Sequence, residues 1–296
     1  MRETRWCLFR LWVEGLSSPL SCSSCLRQLK QRGYATREAR GENRKMVDTT
    51  AILKTVAHRP WPLPDRPWVM TQTWHELLFA HWPIAPGALR PLVPSLLPLD
   101  TYEGQCWVGI VPFHMSNVRP RRVPPLPKLS RFVELNVRTY VTLHGIPGVY
   151  FFSLDASNPI AVALARTFFH LPYFNALMSS ERLANTIHYS SHRTHQGAPP
   201  AEFKATYRPI TPITFARQGS LEWWLTERYC LYSVVGNQRV YRADIHHVQW
   251  PLQLAELKVT CNTIAASHGI HLPDTPPLLH YAQRQEVLIW SLLRVI

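Results

Sequence analysis

The sequence predicts a mainly β, α+β domain: an antiparallel sheet or barrel with one or two packed helices. Three observations predict it. Short alternating apolar–polar runs recur along the chain between turn residues. One stretch alone, 158–171, has a well-capped helical pattern. No GxGxxG or GxxxxGK run marks a nucleotide-binding fold.

Taken in order, PWPLPDRP (60–67) cannot be regular structure, because proline fixes φ and removes a donor. VMTQTWHELLFAHW (69–82) reads as a long strand with a bulge near Glu76. Pro86 suits the first turn of a short helix, and Pro94 and Pro98 keep the next stretch irregular. QCWVGIVPFHM (105–115) is a strand with Trp107, Gly109 and Val111 on one face, and RPRRVPPLPKLS (119–130) is a Pro-rich basic connector. RFVELNVRTYV (131–141), the turn HGIPG and VYFFSLD form a hairpin. NPIAVALARTFFHL (158–171) is the clearest helix: Asn158 caps it, Pro159 opens it and Pro172 closes it. RLANTIHYSSHRTH, AEFKATYRP and ERYCLYSVVGNQRVYRADIHH add four strands, the last two as a hairpin at Gly236–Asn237. SLEWWLTE (220–227) is a short helix capped by Ser220, and PLLHYAQRQEVLIWSLLRV a final strand or pair.

The chain of 296 residues is long enough for a sizeable core. Its net charge is +13, and ten Lys/Arg against four Asp/Glu fall within residues 1–45. The remaining basic residues form no stripe interleaved with aromatics, so nucleic acid is not the expected partner. No apolar run has transmembrane length, so neither is a membrane. Six scattered cysteines, with a lone CxxC at Cys22 and Cys25, suit a reducing compartment rather than a zinc site. Residues 1–45 are rich in Arg, Ser and Leu, and RGYA at Arg32–Ala35 has the look of a mitochondrial processing signal. Glu3 and Glu14 speak against a presequence, and initiation at Met46 is the alternative. The expected location is therefore the mitochondrial matrix or the cytoplasm. The expected organisation is an extension to residue 45, a linker over 46–64 and one domain over 65–296.

Residues 131–141 separate into two lists. Val133, Leu135, Val137, Thr139 and Val141 are apolar or β-branched; Phe132, Glu134, Asn136, Arg138 and Tyr140 are large and mostly polar. A strand puts each list on its own face. Phe132 and Tyr140 are odd members of a water-facing stripe. In a barrel the second list could line the interior, where its charges need partners or a ligand. Arg166 stands out in an otherwise apolar helix and is either its one exposed position or an inward anion clamp. His188, His192 and His195 do not share a strand face, so no metal site is expected, and no GxSxG elbow is present. The many tryptophans, Trp107 and Trp224 among them, read as core or pocket wall.

FVELNVRTYV, GVYFFSLDA, AVALAR, LPYFNALM and the late LLHYAQRQEVLIW together resemble the uncharacterised YqjF-like family of the acetoacetate decarboxylase-like superfamily; WHELLFAHWPI, LPLDTYEGQCWVGIVPFHM and LTERYCLY fit as well. The resemblance covers residues 65–296. It implies a conical antiparallel β-barrel with a central cavity, and the superfamily's decarboxylases assemble into homo-oligomers. Those enzymes form a Schiff base on a lysine of lowered pKa. By position LPYFNA matches the lysine-bearing segment, which leaves Tyr173 in the lysine's place, with no lysine between 129 and 203. The family's barrel glutamate maps to Glu134 and its carboxylate-holding arginine to Arg138 or Arg166.

The expected function is a barrel that binds a small acidic or oxo-acid metabolite without Schiff-base chemistry and without a cofactor. Arg138 and Arg166 would hold the anion; Asn136, Tyr140 and Tyr173 would orient it. The alternative is a lyase, isomerase or hydratase with Glu134 as general acid/base, its pKa set by burial and by Arg138. A third is a catalytically silent interaction domain.

Overall fold

The computed structural model describes residues 47–127, 129–236 and 238–296. The extension expected over 1–45, its cysteines and processing signal, and also Lys128 and Asn237, lie outside the described residues.

Among the described residues twelve strands form one sheet: β1 (Met70–Ile84), β2 (Cys106–Pro120), β3 (Phe132–Leu143), β4 (Ile146–Ala156), β5 (Tyr173–Leu183), β6 (Thr186–Arg193), β7 (Glu202–Pro209), β8 (Cys230–Val235), β9 (Arg239–His246), β10 (Gln253–Asn262), β11 (Leu278–Ile289) and β12 (Leu293–Arg294). Among the described residues four α-helices accompany them: α1 (Thr49–Lys54), α2 (Pro86–Leu89), α3 (Pro159–Phe168) and α4 (Leu221–Thr226). The sheet is mainly antiparallel and closes on itself twice. One circuit runs β4–β3–β2–β1–β11–β10–β7–β6–β5 and returns to β4, a nine-strand barrel. The other leaves β11 through β9 and β8 to β4. The two share the wall β4–β3–β2–β1–β11, so this wall has an interior on each face.

The elements expected from sequence are present, for local reasons. Asn158 accepts hydrogen bonds from the Ile160 and Ala161 amides at 3.1 and 3.2 Å, the N-cap of α3. Ser220 accepts from Trp223 N at 3.3 Å and caps α4. His144 and Gly145 both take positive φ (51° and 75°), which a two-residue turn between twisted strands requires. Glu76 sits at φ 51° in the middle of β1, where the pairing with β2 shifts register between His75 and Ala80. This is the bulge expected there. Strands β5 and β10 are not among the elements expected from the sequence. Both belong to the β5–β6–β7–β10 wall, which exposes one face to water.

The two lists of β3 face the two interiors. Leu135, Val137 and Val141 join a core with Ile110, Tyr189, Phe203 and Tyr207, inside the nine-strand circuit. Glu134 pairs with Phe113 on β2 and with Ala156 on β4, and Asn136 with Val111 and Leu154. Those neighbours pack with Phe79, Trp250 and Ala282 and with Val162 and Phe169 of the α3 region. The helix therefore covers the face that carries the polar list. Its apolar residues supply the lid over that interior.

Residues 47–64, expected as linker, carry α1 and lie against the barrel. Val47 and Ile52 pack on Leu288 and Trp290. Arg59 donates to the Ile245 carbonyl at 2.8 Å and lies 4.5 Å from the Tyr229 ring centroid.

Candidate functional site

The polar list does not form one cluster. It divides into two groups along β3.

Glu134 is 3% exposed. The Tyr173 hydroxyl donates to its Oε2 at 2.7 Å, and the Tyr189 hydroxyl donates to its backbone carbonyl at 2.6 Å. Burial pushes the carboxyl up to about 8, opposed by hydrogen bonds from Tyr173 and Asn136. Arg138 does not act on it, contrary to the expectation that it would tune this acid. Four residues apart along a strand, the two are separated by roughly 13 Å. Asn136 is buried beside Glu134, and its Oδ1 accepts no hydrogen bond.

Further along β3, Arg138 lies opposite Gly109, which in turn lies opposite His81 on β1. Gly109 leaves the space that both side chains use: a Cβ there would stand 3.0 Å from His81 Cδ2 and 3.4 Å from Arg138 Cγ. The guanidinium packs 5.1 Å from the Phe79 ring centroid and 5.8 Å from that of Tyr140. Among the described residues Arg138 forms no ion pair, and its buried Nε has no acceptor. His81 is fully buried, and its Nε2 shares a hydrogen bond of 2.6 Å with the Tyr140 hydroxyl. Burial, then the charges of Arg138, His280 and Arg228, hold its pKa well below the ordinary value, so the ring is neutral. Whichever tautomer it adopts, Nδ1 has no partner.

Trp107 precedes Gly109 on the same face of β2, and its Nε1–H is likewise buried and unpartnered. His280, opposite Phe79 on β11, is buried with Nδ1 unpartnered. Above Tyr140 stand Trp224 of α4, at 4.9 Å, and Arg228, which Asp100 neutralises at 2.5 Å. This end of the interior thus gathers basic groups and buried donors, and Arg138 is the cation left without a carboxylate.

Tyr140 and Tyr173 meet the two groups as partners of His81 and Glu134. Arg166 joins neither. It is exposed on the last turn of α3, and its Nη1 donates to the Tyr173 backbone carbonyl at 2.7 Å. Gly109, His81 and His280 were missed from sequence. The signal for Gly109 was present, since a lone glycine within a strand marks a close approach.

The three described lysines, Lys54, Lys204 and Lys258, are exposed. Among the described residues no group of His, Cys, Asp and Glu could hold a metal ion, and no helix is long and apolar enough to cross a membrane.

A family described as "uncharacterized conserved protein" matches residues 71–286. The chain belongs to this family. It is 52% identical over 230 residues to the uncharacterized protein YqjF of Bacillus subtilis, covering 78% of the chain and 94% of that protein. The relative is bacterial, and the comparisons lend no support to a mitochondrial address. Among solved structures, acetoacetate decarboxylase from Legionella pneumophila matches with a TM-score of 0.54 at 12% identity, covering 83% of this chain and 95% of that one. The enduracididine biosynthesis enzyme MppR, complexed with pyruvate, matches with a TM-score of 0.53 at 10% identity, covering 80% and 93%. These likenesses show an acetoacetate decarboxylase-like fold for a member of the YqjF family. Function has to come from the site.

Proposed function

We propose that the YqjF-type barrel binds a small acidic metabolite, of the oxo-acid class, with its carboxylate on Arg138. The carrying observation is the unpaired Arg138, with its buried Nε unpartnered, on a wall where His81, Trp107 and His280 also present unpartnered ring nitrogens. A buried donor without a partner costs about 1–3 kcal/mol, and a charged one more. A carboxylate would relieve that cost, and arginine suits it through bidentate geometry. Tyr140 fixes His81 beside it. Pyruvate, held by one structural neighbour, is the first probe, with acetoacetate and longer 2-oxo acids after it.

Thermal unfolding tests this reading. Ligand at a hundred times its Kd should add about 2.7 kcal/mol of stability. The gain should vanish in Arg138→Met, which keeps a long side chain at this position and removes the guanidinium. Stabilisation that survives Arg138→Met would sink the proposal.

Glu134 favours a second reading, in which the barrel is an enzyme. A buried carboxyl raised to about 8 is protonated at neutral pH and can give a proton or, above that pH, take one. Deuterium exchange at the carbon next to the carbonyl of a bound oxo acid would reveal it. Exchange undiminished in Glu134→Gln would remove Glu134 from that role. The exposed lysines support a mechanism without a Schiff base, so borohydride with pyruvate should leave no covalent adduct; an adduct on any lysine refutes this.

A further inference from the structure

β4 is the branch point of the two circuits. Its first half pairs with β8 (Val149↔Leu231, Tyr150↔Tyr232) and its second half with β5 (Leu154↔Tyr173 to Ala156↔Asn175), both parallel. Between these ladders the chain from Phe151 to Ser153 has a strand on its β3 side only. The fork holds an open pocket of about 430 Å³, a volume ordinary for a small-molecule site. Tyr150, Phe151, Phe174 and Tyr232 give it aromatic walls, and Arg166 and Ser233 line it as well.

Two observations point to an anionic occupant with a flat body. The first is Arg166. Its Nη1 is anchored on the Tyr173 carbonyl, and the guanidinium stands 5.8 Å from the Phe174 ring centroid. No carboxylate pairs with it among the described residues. Its neighbour Arg193 lies over the same ring at 4.3 Å but is neutralised by the buried Asp155 at 2.8 Å. The second is Ser233, 3% exposed, whose Oγ has no hydrogen-bond partner. A buried hydroxyl without a partner is uncommon and calls for one.

We propose that the fork between β5 and β8 is a second binding site, for an aromatic carboxylate. The carboxylate lies on Arg166, the ring between the aromatic walls, and a polar ring substituent reaches Ser233. The site is separate from the interior at Arg138 and shares no residue with the one argued there.

Fluorescence titration of the full chain with hydroxynaphthoate tests it. Saturable binding is expected, weakened about fivefold or more by Arg166→Gln, because a charge-assisted hydrogen bond is lost. The uncharged hydroxynaphthamide should bind wild type as weakly as the acid binds Arg166→Gln. Ser233→Ala should weaken the hydroxy acid and leave plain naphthoate unchanged. Arg138→Met should leave the acid's affinity as it was. Equal affinities for acid and amide, or no effect of Arg166→Gln, would overturn the proposal. So would loss of binding in Arg138→Met, which would put the aromatic acid in the interior instead.

Discussion

Glu134 holds a proton that its unfolded counterpart gives up. Its carboxyl is raised to about 8 by burial, against an ordinary 4.5. Between those values the folded chain binds more protons than the unfolded one, so this residue's contribution is full below about 4.5 and is lost as pH rises through about 8. Denaturation midpoints measured from pH 5 to 9 should therefore fall more steeply in wild type than in Glu134→Gln, which stays neutral throughout. Parallel curves would mean that the folded carboxyl is ionised. Tyr173→Phe removes a hydrogen bond that favours the ionised form, so the carboxyl should titrate at still higher pH, read from its infrared band. The variant should cost on the order of 1–3 kcal/mol.

At the scale of elements, two glycines set how closely strands carry large side chains. A Cβ at Gly148 would stand 2.7 Å from Cys230 Sγ and 2.7 Å from Tyr232 Cε2, both fixed in the core. Gly148→Ala should destabilise by about 1–3 kcal/mol as overpacking, measured by thermal melting. Gly109→Ala meets His81 at 3.0 Å, a contact that a small ring shift relieves. It should leave the melting temperature nearly unchanged yet weaken binding of the acid, measured by calorimetry, because His81 must move beside Arg138. The alternation of β3 was legible in sequence because its ladder with β2 runs unbroken from Val108↔Thr139 to Met115↔Phe132. Helix α3 was legible from its cap and prolines. Where Arg166 points was not, since an isolated arginine on a helix reads the same whether it faces water, a fork or a lumen. That Glu134 and Arg138 serve separate groups was not legible either. Sharing a strand face does not put side chains within reach.

At the scale of the molecule, the double closure explains why both lists of β3 are buried. A sheet with one interior would have sent one of them to solvent. A barrel was expected from the strand count and the resemblance. The second circuit depends on β9 leaving β11 for β8, a long-range pairing with no local sequence signal. The segment 47–64 belongs to the same structure: α1 covers Leu288 and Trp290, and His58 hydrogen-bonds the His247 carbonyl at 2.8 Å. A chain beginning at Asp65 should melt several degrees lower and aggregate, because it exposes that apolar patch. Unchanged melting would show the segment to be dispensable.

An acid-binding interior centred on Arg138 is tested most directly by a crystal structure of the full chain soaked with pyruvate. The carboxylate should lie within about 3 Å of the Arg138 guanidinium, on the Gly109 side of the wall beside His81. Pyruvate bound elsewhere, or an Arg138 that remains without an anion at saturating acid, would contradict it.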